Sequence, residues 1–293
     1  MRPRLSRRAF LKLSAAFGAA AALKLPRGLA IASTLHLPVP HHYFASAESV
    51  LARGLSQFDL LLVPAYAAAE LIQHNALQTL RGSPHRAHDP EGAFTVPHAY
   101  AVSALVYRDT RPGAFDDLWQ RSALWPDDAR LAGGAALLRR GYSPNDTHPG
   151  RLRQVERDLM ELRPTISSDP VARLRSARST LALAPLLISA GEAAFSPLAR
   201  ACGARDRGPR SEAEPGVRAE AFLPPDGAIL IEYDWVIPQS SRDAETARAL
   251  ITEMTMPSAC HLPPAARLIP LTPLPAAALV QRAVLWSRLK DSV

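Results

Sequence analysis

The sequence predicts an α/β fold, because short apolar runs alternate with longer segments of helical periodicity over most of its 293 residues. The clearest strand covers residues 58–63 and ends at Pro64, and a helix is predicted to follow from Ala67 to Asn75. Residues 94–108 have the composition of a strand throughout. That length is unusual for a single strand and favours a segment that leaves one sheet and enters another.

Further elements follow from the same two periodicities. Helices are predicted over residues 129–140, 149–163, 190–201, 242–254 and 276–290. Strands are predicted over residues 180–184, 217–223 and 228–237. The apolar positions of the helix at residues 149–163 share one face: Leu152, Val155, Leu159 and Leu162. Residues 203–216 lack periodicity and are predicted to form a surface loop, and six prolines in residues 257–275 predict an extended connection.

The N-terminal segment has the three parts of a twin-arginine signal. Arg7 and Arg8 lie in the sequence SRRAFLK, an Ala-rich apolar stretch follows at residues 13–23, and Ala30-Ile31-Ala32 is a small-x-small cleavage candidate. The apolar stretch is shorter than the roughly 20 residues that span a bilayer. We therefore expect residues 1–32 to be a Tat signal peptide, and the protein to be exported to the periplasm by the Tat translocon.

The basic character of the chain is confined to that segment. The formal net charge is +7, from 34 Lys and Arg against 27 Asp and Glu. Residues 1–32 hold seven of the basic residues and no acid, so 27 basic residues face 27 acids in the rest of the chain. A neutral mature chain lacks the charge that a nucleic-acid-binding surface needs, and we expect no nucleic acid partner.

Two cysteines, Cys202 and Cys260, would lie in an oxidising compartment after export. The sequence does not determine their separation, so a disulfide and two isolated cysteines are both compatible with it. A mature chain of about 260 residues can bury one large core or two medium ones.

Six segments occur in the order of one protein family and with roughly its spacing, over most of residues 58–255. They are FDLLLVPAYAAAELIQHNALQTL at 58–80, FTVPHAYAVSALVYR at 94–108, FDDLW at 115–119, DDARLAGGAALLRRGYSPNDTHP at 127–149, LRP at 162–164 and DGAILIEYDWVIPQSS at 226–241. GYSPNDTHP and DWVIP are the most specific parts. Together the segments resemble the spermidine/putrescine-binding group of the periplasmic solute-binding proteins of ABC transporters.

The resemblance implies a two-lobed, type II periplasmic binding-protein fold with the ligand cleft between the lobes and a shortened first lobe. The expected division assigns residues 33–102 and 232–275 to lobe 1 and residues 103–231 to lobe 2, to which a C-terminal helix of residues 276–293 returns. Crossings are expected near residues 101–104 and 231–236. A small-molecule solute and an ABC permease in the inner membrane are the implied partners of a monomeric protein, and no cofactor is implied.

A polyamine site needs carboxylates to pair with ammonium groups and aromatic faces for the chain to lie against. By the resemblance, the candidate ligand-binding residues are Tyr66, Tyr100, Asp128, Tyr233, Asp234 and His261. Asp128 matches a ligand carboxylate of the family, and Tyr66 lies at the ligand-facing turn after the strand at residues 58–63. Tyr100 takes the place of a tryptophan, and His261 takes the place of a tyrosine.

The chain departs from the family pattern near these positions. The glutamate expected three residues after Asp128 is Leu131, and a tryptophan expected in the strand at residues 180–184 is replaced by Pro185. With fewer carboxylates and tryptophans than the pattern requires, we expect weak or absent binding of spermidine and putrescine.

The strand at residues 228–237 also departs from the pattern. The family's tryptophan falls at Ile231 and its aspartate at Tyr233, with Glu232 and Asp234 on either side of that tyrosine. A bulge of one residue would return an acid to the ligand-facing side, but the alternation of side chains along a strand argues against it. Trp235 is expected to be a core aromatic.

Structural roles compete with the ligand-binding roles. Asp128 precedes a predicted helix and could serve as its N-cap, and His261 could be a partly buried histidine without a ligand. At the N-terminus, the sequence HHYFASAESVLARGLSQ at residues 41–57 aligns with the family's second strand and helix, which leaves little room for a first strand. Either the mature protein starts late, or residues near 29–34 are retained as an edge strand.

Two other functions are compatible with the sequence. One is a non-transport periplasmic accessory protein that keeps the fold and has lost ligand binding. The other is an enzyme that uses Asp128, Glu232 and Asp234 for acid–base chemistry, although no nucleophile elbow or phosphate loop is present and no enzyme is expected. The histidines and cysteines lack the spacing of a metal site, so no metal is expected.

Overall fold

A computed structural model describes residues 29–31, 42–43, 54–80, 85–120, 122–176, 179–188, 220–224, 227–254 and 267–292. Arg7, Arg8, both cysteines, His261, the predicted helix at 190–201 and the predicted loop at 203–216 lie outside the described residues. Within the described ranges, no helix combines the length and the apolar character needed to cross a membrane.

Strands and helices alternate along the described chain, as predicted. The strands are β1 (Leu29–Ile31), β2 (His42–Tyr43), β3 (Leu60–Pro64), β4 (Val96–Tyr107), β5 (Leu124–Pro126), β6 (Thr165–Ser167), β7 (Leu181–Ile188), β8 (Glu220–Phe222), β9 (Ala228–Val236) and β10 (Leu268–Pro270). The α-helices are α1 (Ala65–Gln73), α2 (Ala129–Arg139), α3 (Pro149–Leu162), α4 (Pro170–Ser176), α5 (Ala244–Met254) and α6 (Ala276–Asp291). Short 3-10 turns cover Leu55–Gln57 and Phe115–Leu118.

The strands form one mixed sheet in the order β2-β1-β3-β9-β4-β7-β5-β6, with β10 beside β9 and β8 beside β4. The strand β4 connects the two halves of this sheet. Its residues 96–102 pair antiparallel with β9, and its residues 100–107 pair antiparallel with β7. The predicted long extended segment is therefore confirmed as a strand that passes from one set of neighbours to another.

Alternation along β9 gives the sheet two chemically different faces. Side chains of one parity belong to the main apolar core: Ile229, Ile231, Tyr233 and Trp235. The helices α1 and α2 pack on this side, which we call the front face. Glu232 and Asp234 alternate with these residues and lie on the opposite side, which we call the back face. Tyr100 is registered opposite Glu232 and shares the back face with it.

The helices follow from local sequence signals. The four apolar residues predicted to share one face of α3 are all buried, and α3 ends at Arg163 in the left-handed conformation, with φ 50°. Asp128 is the N-cap of α2, and its Oδ1 accepts hydrogen bonds from the backbone amides of Arg130 at 2.8 Å and Leu131 at 2.9 Å. Gly141 follows the end of α2 with φ 74°, as expected of a glycine C-cap.

Several elements differ from the prediction. The strands β5 and β6 and the helix α4 were not predicted, and β10 lies inside the segment predicted to be only an extended connection. The strand β1 pairs in parallel with both β2 and β3. It covers residues that one of the two N-terminal alternatives retained as an edge strand, but among the described strands β2 and not β1 forms the edge of the sheet.

Residues 85–95, which we call the strap, precede β4 and contact the back face. Asp89 is 1% exposed and fastens the strap from within, because its carboxylate accepts hydrogen bonds from the amides of Ala93, Phe94 and Thr95 and from the Thr95 hydroxyl. Burial alone would raise the pKa of Asp89, but these backbone hydrogen bonds outweigh it and hold the pKa below its ordinary 3.8.

The cap of α2 gives a first prediction. Asp128→Ala should lower the free energy of unfolding by about 1 kcal/mol, because two helix amides lose their acceptor. Asp128→Asn retains a side-chain oxygen and should cost only a few tenths of that amount. Urea denaturation of the three proteins checks this. Equal losses in the alanine and asparagine variants would contradict a capping role.

The strap gives a second prediction, for stability against pH. Because the folded-state pKa of Asp89 is depressed, its contribution is present above the unfolded value of 3.8 and is lost as pH falls through the lower folded pKa. At pH 7, Asp89→Asn should therefore lose about 1–3 kcal/mol of unfolding free energy.

That loss should shrink when urea denaturation is repeated at pH 3. Asp109→Asn, at an exposed residue beyond β4, controls for the general effect of exchanging an aspartate for an asparagine. A loss for Asp89→Asn that is the same at both pH values would show that the carboxylate charge is not what fastens the strap.

Candidate functional site

A contact between an aromatic ring and a cation joins α1 and α2 over the front face. The guanidinium carbon of Arg130 lies 4.9 Å from the ring centroid of Tyr66, and both residues are almost completely buried. Nη2 of Arg130 donates to the carbonyl of Thr272 at 2.6 Å. Arg130 therefore joins three parts of the chain: α1, α2 and the segment after β10.

The turn between α2 and α3 holds that segment in place. It belongs to the GYSPNDTHP motif, and its Asn145 donates from Nδ2 to the carbonyl of Pro270 at 2.8 Å. The amide of Thr272 donates in return to Asn145 Oδ1 at 3.0 Å. Beyond β10, the amide of Leu271 donates to the carbonyl of Leu230 in β9. The motif thus positions the carbonyl group to which Arg130 donates.

A second buried guanidinium, that of Arg282 in α6, lies behind Arg130. Arg282 is 4% exposed, and its Nη2 donates to the carbonyls of Pro144 and Asp146 at 3.0 and 2.9 Å. Its Nε and Nη1 have no hydrogen-bond acceptor among the described residues. Burial, and after it the like charge of Arg130, lower the pKa of Arg282 to about 9, against the opposing effect of Asp146. We call Tyr66, Arg130, Asn145, Thr272 and Arg282 the front cluster.

The back face carries a separate cluster, to which the strap contributes an arginine and a histidine. Nη1 of Arg86 lies 2.9 Å from Oε2 of Glu232 and 3.7 Å from Oδ1 of Asp234, and its Nη2 donates to the Tyr100 hydroxyl at 3.0 Å. Nε2 of His88 lies 2.6 Å from Oδ2 of Asp234, whose side chain is fully buried. We call these five residues the back cluster.

The charges of the back cluster stabilise one another. Burial alone would lower the pKa of Arg86, but the charges of Asp234 and Glu232 and the contact with Tyr100 outweigh it and raise the pKa above its ordinary value. The guanidinium also lies 5.7 Å from the centroid of the Tyr100 ring. An arginine of the chain thus holds the position beside acid and aromatic groups that a polyamine ammonium would require.

The sheet divides the sequence-predicted site residues between its two sides. Tyr66 and Tyr233 belong to the core on the front face and are each 3% exposed. Tyr100 and Asp234 lie on the back face, so the predicted residues do not form one site. The structure gives Asp128 the capping role, and His261 lies outside the described residues. Alternation along β9 correctly predicted that Asp234 would face away from Tyr233.

His88 was considered from the sequence only as a metal ligand, and three charged residues of these clusters were not singled out: Arg86, Arg130 and Arg282. For two of them a signal existed. Arg282 occupies a position of α6 that shares a face with the buried Ala278, Leu285 and Leu289, and Arg130 opens a run of small and apolar residues. An arginine at an apolar position of a helix indicates a buried partner or ligand.

The arrangement of the acids and histidines in the two clusters bears on metal binding. Within the described part of the chain, no group of three or more His, Cys, Asp or Glu side chains is placed to hold a metal ion. His98, one of the histidines considered from the sequence, lies on the front face with its ring centroid 5.0 Å from that of Trp235.

Comparison with known proteins gives a result at the level of fold. No protein-family model matches the sequence, and no curated protein sequence matches it. A protein of Listeria monocytogenes described as a spermidine/putrescine ABC transporter has a similar structure, with a TM-score of 0.69 and 17% sequence identity. The match covers 90% of this chain and 98% of that one.

Two further solved structures extend the comparison. The spermidine/putrescine substrate-binding protein PotD of Streptococcus pneumoniae matches with a TM-score of 0.59 and 16% identity, over 90% of this chain and 98% of that chain. A periplasmic thiamin-binding protein matches with a TM-score of 0.58 and 13% identity, over 94% and 98% of the two chains. The predicted fold class is confirmed: this chain has the mixed α/β fold of the type II periplasmic binding proteins.

Proposed function

We propose that this protein is the substrate-binding component of an ABC transporter, which binds a small solute by closing two lobes and presents it to a permease. One observation carries the proposal. In a fold shared with substrate-binding proteins over about nine-tenths of the chain, α1 and α2 meet above the strand pair β4–β9 through the contact of Arg130 with Tyr66.

The proposed hinge follows from the sheet. We place α1 in lobe 1 and α2 in lobe 2, in the division predicted from the sequence, with the crossings on β4 near residues 101–104 and on β9 near residues 231–236. Because β10 pairs with residues 228–230 of β9, we assign residues 267–275 to lobe 2 and not, as predicted from the sequence, to lobe 1. Opening of the lobes then separates Tyr66 from Arg130 and admits a solute between them.

Binding of a solute should stabilise the closed form, and this gives a third prediction. A solute at about 100 times its Kd adds about 2.7 kcal/mol, which for a chain of this size corresponds to a rise in Tm of roughly 5–10 °C. We expect native mass spectrometry of the purified protein to detect a bound small molecule. We expect Tyr66→Ala to release that molecule, because the ring forms one wall of the closed site.

Tyr142→Ala is the matched control for that variant. Tyr142 also lies against an arginine, with the guanidinium carbon of Arg151 4.6 Å from its ring centroid, but it belongs to the turn after α2 and not to the front cluster. The control should retain the bound molecule. If the wild-type protein carries no solute and none of a broad panel raises its Tm, the accessory-protein interpretation replaces transport.

We also propose export by the Tat pathway to the periplasm, directed by Arg7 and Arg8, and a monomeric state. The strand β1 bears on the cleavage site, because cleavage at Ala30-Ile31-Ala32 would remove the strand that lies between β2 and β3. We therefore propose cleavage before Leu29, where the small residues Ala19–Ala22 offer an alternative to the predicted site.

The fourth prediction concerns that cleavage. N-terminal sequencing of the protein purified from the periplasm should give a mature chain that begins upstream of Leu29, and Arg7→Lys together with Arg8→Lys should abolish export. The same chain with a Sec-type signal in place of residues 1–22 is the control for export as such. A mature N-terminus at Ser33 would contradict a structural role for β1.

A further inference from the structure

The sign of the charge differs between the two faces of the β4–β9 pair. Two acids that could neutralise a cationic solute, Glu232 and Asp234, lie on the back face, where Arg86 and His88 already pair with them. On the front face, the buried guanidinium of Arg130 lies where α1 meets α2, and the buried guanidinium of Arg282 in α6 is close enough for the two charges to repel each other. A polycation entering from the front would therefore approach positive charge.

The surroundings of the Arg282 guanidinium indicate that a ligand binds nearby. Its guanidinium is buried, it makes no ion pair with a described residue, and two of its nitrogens have no acceptor there. The charge of Asp146 favours the charged form of Arg282, but its carboxylate pairs with Arg151 and accepts from the amide of His148, and only its backbone carbonyl reaches Arg282. A buried charge without a counter-ion is costly, and an anion bound nearby reduces that cost.

Arg130 is placed to contact such an anion directly. It lies under the ring of Tyr66 at the junction of α1 and α2, where opening of the lobes would expose it. A guanidinium presents planar donors that match a carboxylate or a phosphate oxygen pair. The carbonyl of Thr272 orients it through one Nη2 bond of 2.6 Å.

We infer that the solute bound at the front cluster is an anion that bears a carboxylate or phosphate group, held by Arg130 and stabilised by the charge of Arg282. The inference rests on the proposed function and specifies its substrate class. The acid that counts against this inference is Asp128, which precedes Arg130 at the start of α2 and would repel an anion. Polyamines are excluded by the same charges that favour the anion.

The test is isothermal titration calorimetry, with Tm measured in parallel, on the full mature protein freed of copurified solute by unfolding and refolding. The anionic probes are inorganic phosphate, succinate and L-glutamate, and the cationic probes are putrescine and spermidine. At least one anionic probe should bind saturably, and neither polyamine should. Arg130→Gln should weaken the binding of that probe by about tenfold or more, as expected for loss of a charge-assisted hydrogen bond.

Matched variants separate the charge from the fold. Arg282→Gln should also weaken anion binding, whereas Arg288→Gln, at an exposed position of the same helix, should leave it unchanged. Asp128→Asn keeps a capping oxygen and removes a negative charge, so it should leave anion binding equal or tighter. A cation site would instead lose affinity in this variant. If Arg130→Gln fails to fold, the Arg282 and Asp128 variants still decide the sign of the site.

The outcomes distinguish the inference from the function on which it rests. Saturable binding of putrescine or spermidine, or a neutral molecule identified in the native protein, would overturn the anion inference and leave solute binding intact. Absence of any bound molecule in the native protein, together with no response to either class of probe, would overturn both. Anion binding that is unchanged in Arg130→Gln and Arg282→Gln would place the anion elsewhere and overturn the inference.

Discussion

The antiparallel pairing of β4 with β9 is the constraint on which the rest of the molecule depends. The strand β4 also pairs with β7, whereas β9 also pairs with β3 and β10. The pair β4–β9 therefore joins the two halves of the sheet. Since alternate residues of a strand must face opposite sides, the same pairing determines which side chains can meet. No side chain of β9 can serve both the front and the back cluster.

This constraint separates charges that a polyamine site would have to combine. The aromatic residues Tyr66 and Tyr233 lie on one side of the sheet, while Glu232 and Asp234 lie on the other with arginine and histidine as their partners. In the back cluster each acid has a partner from the strap, with Arg86 beside Glu232 and His88 beside Asp234. The front cluster carries uncompensated positive charge at Arg282, and that asymmetry is the physical basis for assigning it an anionic partner.

Strong local patterns were predictable from the sequence, and long-range pairings were not. The apolar face of α3, the length of β4 and the cap at Asp128 follow from residue spacing alone. The three-residue strands β5 and β6 are too short to show a periodicity. The pairing of Arg86 with Glu232 joins residues 146 positions apart, which leaves no local signal. The candidate site was therefore predicted as one cluster, although alternation along β9 had already indicated that Asp234 faces away.

The distance in sequence between the strap and β9 also affects how the chain matures. At a synthesis rate of roughly 5–20 residues per second, a separation of 146 positions means that Glu232 emerges from the ribosome about 7–30 s after Arg86. During that time β3 lacks β9, and its five apolar or proline residues, all buried in the finished protein, lack one of their neighbours. The part of the chain that is made first is thus an unfinished sheet with an open strand edge until β9 is made, and an open edge at that stage favours pairing with other chains.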